Sequence, residues 1–177
     1  HYHLIVDEIN KRMTPTTRME GERAVVVFFR DEKELAAFRS SSYFDSLREK
    51  ANVLTELTAA RSEDRGNVIK SATRQGAITL ATRIFGRGTD FKIFDDRVDK
   101  LGGMHVLQTF FSRDLSEEVQ VMGRCARQGN TGSYSQVLLS TSVAADFDLT
   151  SQVVEGWDPT TRYPRLAQLR ADAGAGE

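Results

Sequence analysis

The sequence predicts an α/β domain with a mainly parallel sheet flanked by helices, and three observations carry that prediction. Short runs rich in β-branched and aromatic residues recur along the chain, stretches with helical spacing separate them, and the run from Ala24 to Phe29 is apolar at every position. A continuous apolar run of this length is a strand buried on both faces, as parallel sheets require, and strands separated by helices are the pattern of α/β domains.

Residues His1 to Arg12 place Leu4, Ile5 and Ile9 at helical spacing, with Met13 following, and read as an amphipathic helix that ends before a Thr14-Pro15-Thr16-Thr17 linker. After Gly21 comes the first strand. Asp31 with Glu34 three residues on is an N-cap pair for a helix carrying Leu35 and Phe38. Asn52 to Leu57 is a second strand, Ser62 opens a helix with Val68, Ile69 and Ala72 on one side, and Ala77 to Thr82 is a third strand. Met104 to Phe111 is a fourth strand, Asp114 to Arg127 a helix closed by Gly129 as a left-handed cap, and Ser133 to Ser140 a fifth strand. Residues 1–140 thus form one domain. Beyond Thr141 the pattern dissolves, so 141–177 reads as an irregular tail, disordered toward its end, with room for a short helix from Pro164 to Arg170.

Composition excludes several classes. A chain of 177 residues suits one domain rather than two. With 24 basic against 25 acidic residues there is no global basic field to draw it onto nucleic acid or anionic lipid. The run Ala24 to Phe29 is far too short to span a bilayer and no charged-then-apolar leader opens the chain, so the expectation is a soluble, cytoplasmic protein. One cysteine, Cys125, excludes an internal disulfide, and His1, His3 and His105 supply no zinc-spaced set. Because His1 falls directly into a helical stretch, the chain is expected to be cut from a longer polypeptide.

In an open parallel sheet ligands meet the loops at the carboxyl ends of the strands. The loop after the third strand, Arg83-Ile84-Phe85-Gly86-Arg87-Gly88-Thr89-Asp90, brackets an arginine with two glycines that let the backbone approach a ligand. On composition alone it reads as a tight turn with solvated charges. The second candidate is Gln120 to Gly129, where Gln120, Arg124 and Arg127 fall within roughly 60° of one another on a helix, with Val119, Met122 and Ala126 opposite. Alone it is a solvated face whose arginines suit the helix dipole. Together, guanidinium groups from a glycine-flanked loop and from a helix are what a nucleotide phosphate tail requires. Asp7-Glu8 reads as a solvated helix face, His105 as a satisfied core histidine, and Cys125 has no catalytic partner. No P-loop string occurs and no strand ends in an acidic pair for Mg²⁺, so at most half of an NTP site is present.

The segment Ala77 to Lys92 resembles motif V, and Gln120 to Gly129 motif VI, of the superfamily-two helicase motors, and among these the strings are most similar to SecA preprotein translocases. Gly102-Gly103-Met104-His105-Val106 resembles a third SecA string in the same order and spacing. More faintly, 1–13, 21–29 and 52–54 resemble the start of the family's second nucleotide-binding domain. The resemblance implies a RecA-like domain of helicase C-terminal type and an ATP site, with Mg²⁺, shared with a first RecA-like domain that supplies the P-loop and the acidic motif. It implies Arg127 as the arginine finger and Arg124 as a second phosphate contact. Gly86, Arg87, Gly88, Asp90 and Gln120 would contact nucleotide or transmit its state. An unfolded polypeptide is the implied client, nucleic acid is the less favoured one, and peripheral membrane contact is open to a full-length protein. The isolated chain is expected to be inactive. It departs from the family at Arg83-Ile84-Phe85, where SecA has Asn-Met-Ala, and through Phe110 to Val119, where several polar residues are replaced. The alternatives are the same domain of an RNA or DNA helicase, or a non-catalytic scaffold derived from one.

Overall fold

A computed structural model of the chain describes residues 1–15, 21–59, 62–93, 95–126 and 131–174. Its strands are β1 (Val25–Phe29), β2 (Ala51–Leu54), β3 (Ile78–Thr82), β4 (Met104–Gln108) and β5 (Gly132–Gln136). They form one sheet in the order β2-β3-β1-β4-β5, and every pairing is parallel. The helices are α1 (Tyr2–Met13), α2 (Glu32–Ser40), α3 (Glu56–Ala59), α4 (Ser62–Ala72), α5 (Asp96–Lys100), α6 (Leu115–Met122), α7 (Ser140–Asp146), α8 (Ser151–Glu155) and α9 (Arg162–Gly174).

The wholly apolar run sits at the centre of the sheet, where Val25 pairs with Ile78 on one side and His105 on the other. Alternation of side chains across the pleat divides it between two cores. Ala24, Val26 and Phe28 join Ala72 of α4, Val98 of α5 and Val121 of α6. Val25, Val27 and Phe29 join Ile5 and Ile9 of α1, Leu35 and Phe38 of α2, and Phe44 and Leu47 of a 3-10 turn. Local signals hold the helix starts. The Asp31 carboxylate accepts the Glu34 amide at 2.9 Å, and Asp114 accepts the Ser116 amide at 2.8 Å, so both helices are capped as N-cap chemistry requires.

Three expectations are corrected. The second, fourth and fifth strands stop earlier, at Leu54, Gln108 and Gln136. Thr55 and Thr58 exchange side-chain and backbone hydrogen bonds that start α3, and the Gln108 amide turns to the Phe110 carbonyl and the Ser112 hydroxyl. The helix expected to run to Arg127 ends at Met122, with Gly123 as its cap and the amides of Arg124 and Cys125 bonded three residues back in a tightened turn. Arg124 therefore leaves the helix face that Gln120 occupies, while Arg127 and Gly129 lie outside the described residues. The buried side of α6 is Glu117, Glu118 and Val121, whereas Val119 and Met122, expected on its apolar side, are exposed.

The third correction concerns the tail, which folds. Val143 and Ala144 of α7, Val154 of α8 and Leu166 of α9 close around Phe111. Arg170 lies 4.9 Å from the Phe111 ring centroid and bonds Glu118 at 2.6 Å, while Arg30 grips Asp146 through two bonds of 2.9 and 2.7 Å. The expected short helix from Pro164 to Arg170 falls inside α9.

Candidate functional site

The glycine loop leaves the carboxyl end of β3 as a 3-10 turn, Arg83–Gly86, and runs beside α6. Gly86 is required by contact, since a Cβ there would lie 2.6 Å from Cγ2 of Val121. Gly88 is required by conformation: its φ is +66°, and the space where a Cβ would sit is open to 4 Å. A loop of this kind lets a ligand approach the backbone closely.

Arg124 turns inward to this loop. Its Nε donates to the Gly86 carbonyl and its Nη1 to the Thr89 carbonyl, each at 2.8 Å, so one guanidinium bridges two points of the loop on either side of Gly88. Arg87 turns outward and pairs with Asp114 at the head of α6 at 3.3 Å, both side chains more than half exposed. Asp90 and Gln120 are exposed, the latter on α6. The structure thus brings Gly86, Arg87, Gly88 and Asp90 together with Arg124, while Gln120 is exposed on α6.

Sequence reasoning passed over Arg83. Its Nε lies 2.9 Å from the buried Glu117 carboxylate and its guanidinium 5.8 Å from the Phe110 ring centroid. Arg83, Phe110 and Glu117 all fall in segments where the chain departs from the SecA strings, and that coincidence was the available signal. The departures are partners of one another, and they tie the glycine loop to α6.

A second polar cluster lies away from this edge, between α1, β4 and β5. His105 is fully buried, and its ring nitrogens pair with the hydroxyls of Ser133 at 2.7 Å and Ser135 at 3.0 Å. Burial, with Arg12 and Arg23 nearby, pulls its pKa down to about 4, against a smaller upward pull from Glu8. It is a satisfied core histidine, as expected. Glu8 is not the solvated residue expected: only 12% of its side chain is exposed, and it bonds Arg12 at 2.6 Å and Ser135 at 3.1 Å. Burial pushes its carboxyl up, but Arg12, Ser135 and His105 together bring it below its ordinary value. Among the described residues no cluster of His, Cys, Asp or Glu side chains is placed to hold a metal ion, and no helix is long and apolar enough to cross a membrane.

The parallel sheet, its order and its glycine loop define a RecA-like domain of the helicase C-terminal class. The fold matches Mss116p DEAD-box helicase domain 2 bound to an RNA duplex, with a TM-score of 0.54 over 78% of this chain and 50% of that one, at 18% identity. In sequence the chain is a relative of the SecA proteins. It is 34% identical over 120 residues to Protein translocase subunit SecA 2 of Rhodopirellula baltica, covering 68% of this chain and 17% of that one. It is 33% identical over 133 residues to the SecA 2 subunit of Listeria innocua, covering 70% and 17%. To Protein translocase subunit SecA of Nitratiruptor it is 43% identical over 84 residues, covering 48% and 10%. No family model matches. The chain therefore spans between 10% and 17% of the length of these curated relatives.

Proposed function

We propose that the chain is the second motor domain of a SecA-like, ATP-dependent protein translocase or remodelling ATPase, closing an ATP site against a first RecA-like domain. The observation that carries the reading is the Arg124 bridge, which joins the motif V-like loop to the motif VI-like segment at the carboxyl edge of the sheet. The loop fits a phosphate group, because Gly88 leaves open the space that a side chain would fill. ATP with Mg²⁺ would supply the phosphoryl group and its counter-charge, the metal being held by the first domain.

Arg87 and Asp90 would then face the nucleotide from the loop, with Gln120 reaching it from α6. Arg127 would be the arginine finger. Arg124 would act on the nucleotide through the loop whose carbonyls it holds, a positioning role beside the second phosphate contact that the family resemblance implies. The relatives are named translocase subunits, which supports a polypeptide client.

The test is ATP turnover by the polypeptide that joins this domain to its P-loop partner, with unfolded polypeptide, RNA or acidic lipid added in turn. Stimulation by polypeptide is the expected outcome. Stimulation by RNA alone would move the domain to the helicases, in keeping with its RNA-bound fold neighbour, and turnover absent under every condition would make it a scaffold.

A further inference from the structure

A cavity of about 340 Å³ lies between α7, α8 and α9, beside the carboxyl end of β5, and shares no lining residue with the glycine loop. Its volume is that of a small-molecule pocket. The apolar lining comes from the core of the folded tail, Val143, Val154 and Leu166, with the ring of Trp157 beside them.

The polar lining is only partly used. The Gln108 amide donates to the Phe110 carbonyl, which leaves its oxygen to accept the Tyr134 hydroxyl, and that hydroxyl in turn accepts the Gln136 amide at 2.6 Å. This fixed order of donors leaves the side-chain oxygen of Gln136, a lining residue, with no donor among the described residues. Glu155 accepts the Ser140 hydroxyl at 2.7 Å on one oxygen and forms no ion pair among the described residues. Arg162 donates to the carbonyls of Trp157 and Glu155 at 3.2 and 3.4 Å, and its charge also has no carboxylate partner among the described residues. Because Arg162 reaches the backbone of Glu155, the two uncompensated charges stand on the same side of the cavity.

The occupant must therefore bring an apolar body and two opposite charges close together. A fatty acid or a phosphate would meet the Glu155 carboxylate, an amine alone would meet Arg162, and the main chain of an internal polypeptide segment carries neither charge. An α-amino acid carries both on one carbon. We infer that this cavity binds a free α-amino acid with a large apolar side chain. Its ammonium lies against Glu155 and the Gln136 oxygen, its carboxylate against Arg162, and its side chain among Val143, Val154 and Leu166. The site owes nothing to the proposed ATP edge and stands whether or not the motor reading holds.

Trp157 is the single tryptophan of the chain, so tryptophan emission reports directly on the cavity. Titration with L-phenylalanine should change that emission saturably. Phenethylamine and 3-phenylpropionate, each lacking one charge, and glycine, lacking the side chain, should leave it unchanged up to about 10 mM. Glu155→Gln keeps an acceptor for Ser140 and drops only the charge, so it should weaken L-phenylalanine binding about tenfold with an unaltered circular dichroism spectrum. Arg162→Gln should weaken it by a similar factor, and Glu155→Gln alone decides if the loss of the two carbonyl bonds disturbs the fold. Absence of saturation, equal binding of either singly charged analogue, or L-phenylalanine held by Glu155→Gln as tightly as by the unaltered chain would overturn the assignment.

Discussion

Arg124 donates to the carbonyl of Gly86 at 2.8 Å across 38 residues of sequence, with a second bond of equal length to Thr89. Two segments that resemble separate motor motifs are thereby one mechanical unit, in which a displacement of the Arg124 turn moves the glycine loop.

That bridge should be measurable without any nucleotide. Arg124→Ala removes two charge-assisted bonds from a half-buried side chain and should cost about 1–2 kcal/mol in denaturant unfolding, with faster amide exchange confined to 83–90. Arg124→Lys should not restore protection, because a single ammonium cannot hold two carbonyls in the guanidinium's fork geometry. Unaltered exchange in the loop would show that it holds its shape unaided.

The two loop glycines should fail for different reasons. Gly86→Ala drives a Cβ to 2.6 Å from the Val121 methyl and should cost about 1–3 kcal/mol. Gly88→Ala meets nothing within 4 Å but places a side chain at φ +66°, for about 1–2 kcal/mol. Val121→Ala should lessen the cost of the first substitution and leave that of the second unchanged, a coupling that a double-mutant cycle reads directly.

What the sequence made legible follows the range of the interactions. Continuous apolar strands and Asp caps are local signals, so the sheet, its parallel sense, α1, α2 and α4 could be read residue by residue. The limits of α6 could not, because Glu117 and Glu118 are buried against Arg83 and Arg170, partners 34 and 52 residues away. A helical wheel treats such glutamates as solvated and turns the helix the wrong way. The same holds for the last helices, whose apolar residues are isolated in sequence and converge only on Phe111. In the candidate site the glycine loop was legible from its spacing, whereas Arg83 owes its place to Glu117 and Phe110, which no local pattern connects.

Docking of the last helix should depend on Arg170 and Glu118, whose side chains are 8% and 6% exposed. Arg170→Ala leaves the Glu118 carboxylate buried with only the Tyr163 hydroxyl, and should cost about 3 kcal/mol by thermal or denaturant unfolding. Arg170→Leu combined with Glu118→Leu should cost less than the single alanine, because no buried charge is left uncompensated. A double variant no better than the single one would show that packing on Phe111, and not charge, holds α9.

If the domain closes an ATP site, Arg127 should act mainly on the charge that develops on the transferred phosphoryl group. In the polypeptide that includes the P-loop domain, Arg127→Ala should lower kcat by on the order of 10³-fold with little change in ATP affinity, and Arg127→Lys should not rescue it. Wild-type turnover would remove the arginine-finger assignment.

Acid should destabilise the domain through His105 before it does so through Glu8. The folded state holds the imidazole neutral, with a pKa pulled from 6.5 to about 4, so on acidification the unfolded chain takes up the proton first. Between those two values the unfolded state binds more protons, and stability, fully present above the unfolded value, falls as pH drops through the window. From about pH 7 to about pH 5 the loss should be on the order of 2 kcal/mol. Glu8 enters later: its carboxyl lies below its ordinary 4.5, so its contribution is present above that value and is lost only in stronger acid. Denaturant unfolding at stepped pH should show the first loss in the unaltered chain and not in His105→Asn, whose lower starting stability does not matter because the comparison is of slopes. An equal slope in both proteins would place the acid sensitivity in the carboxylates and leave the buried imidazole without a part in it.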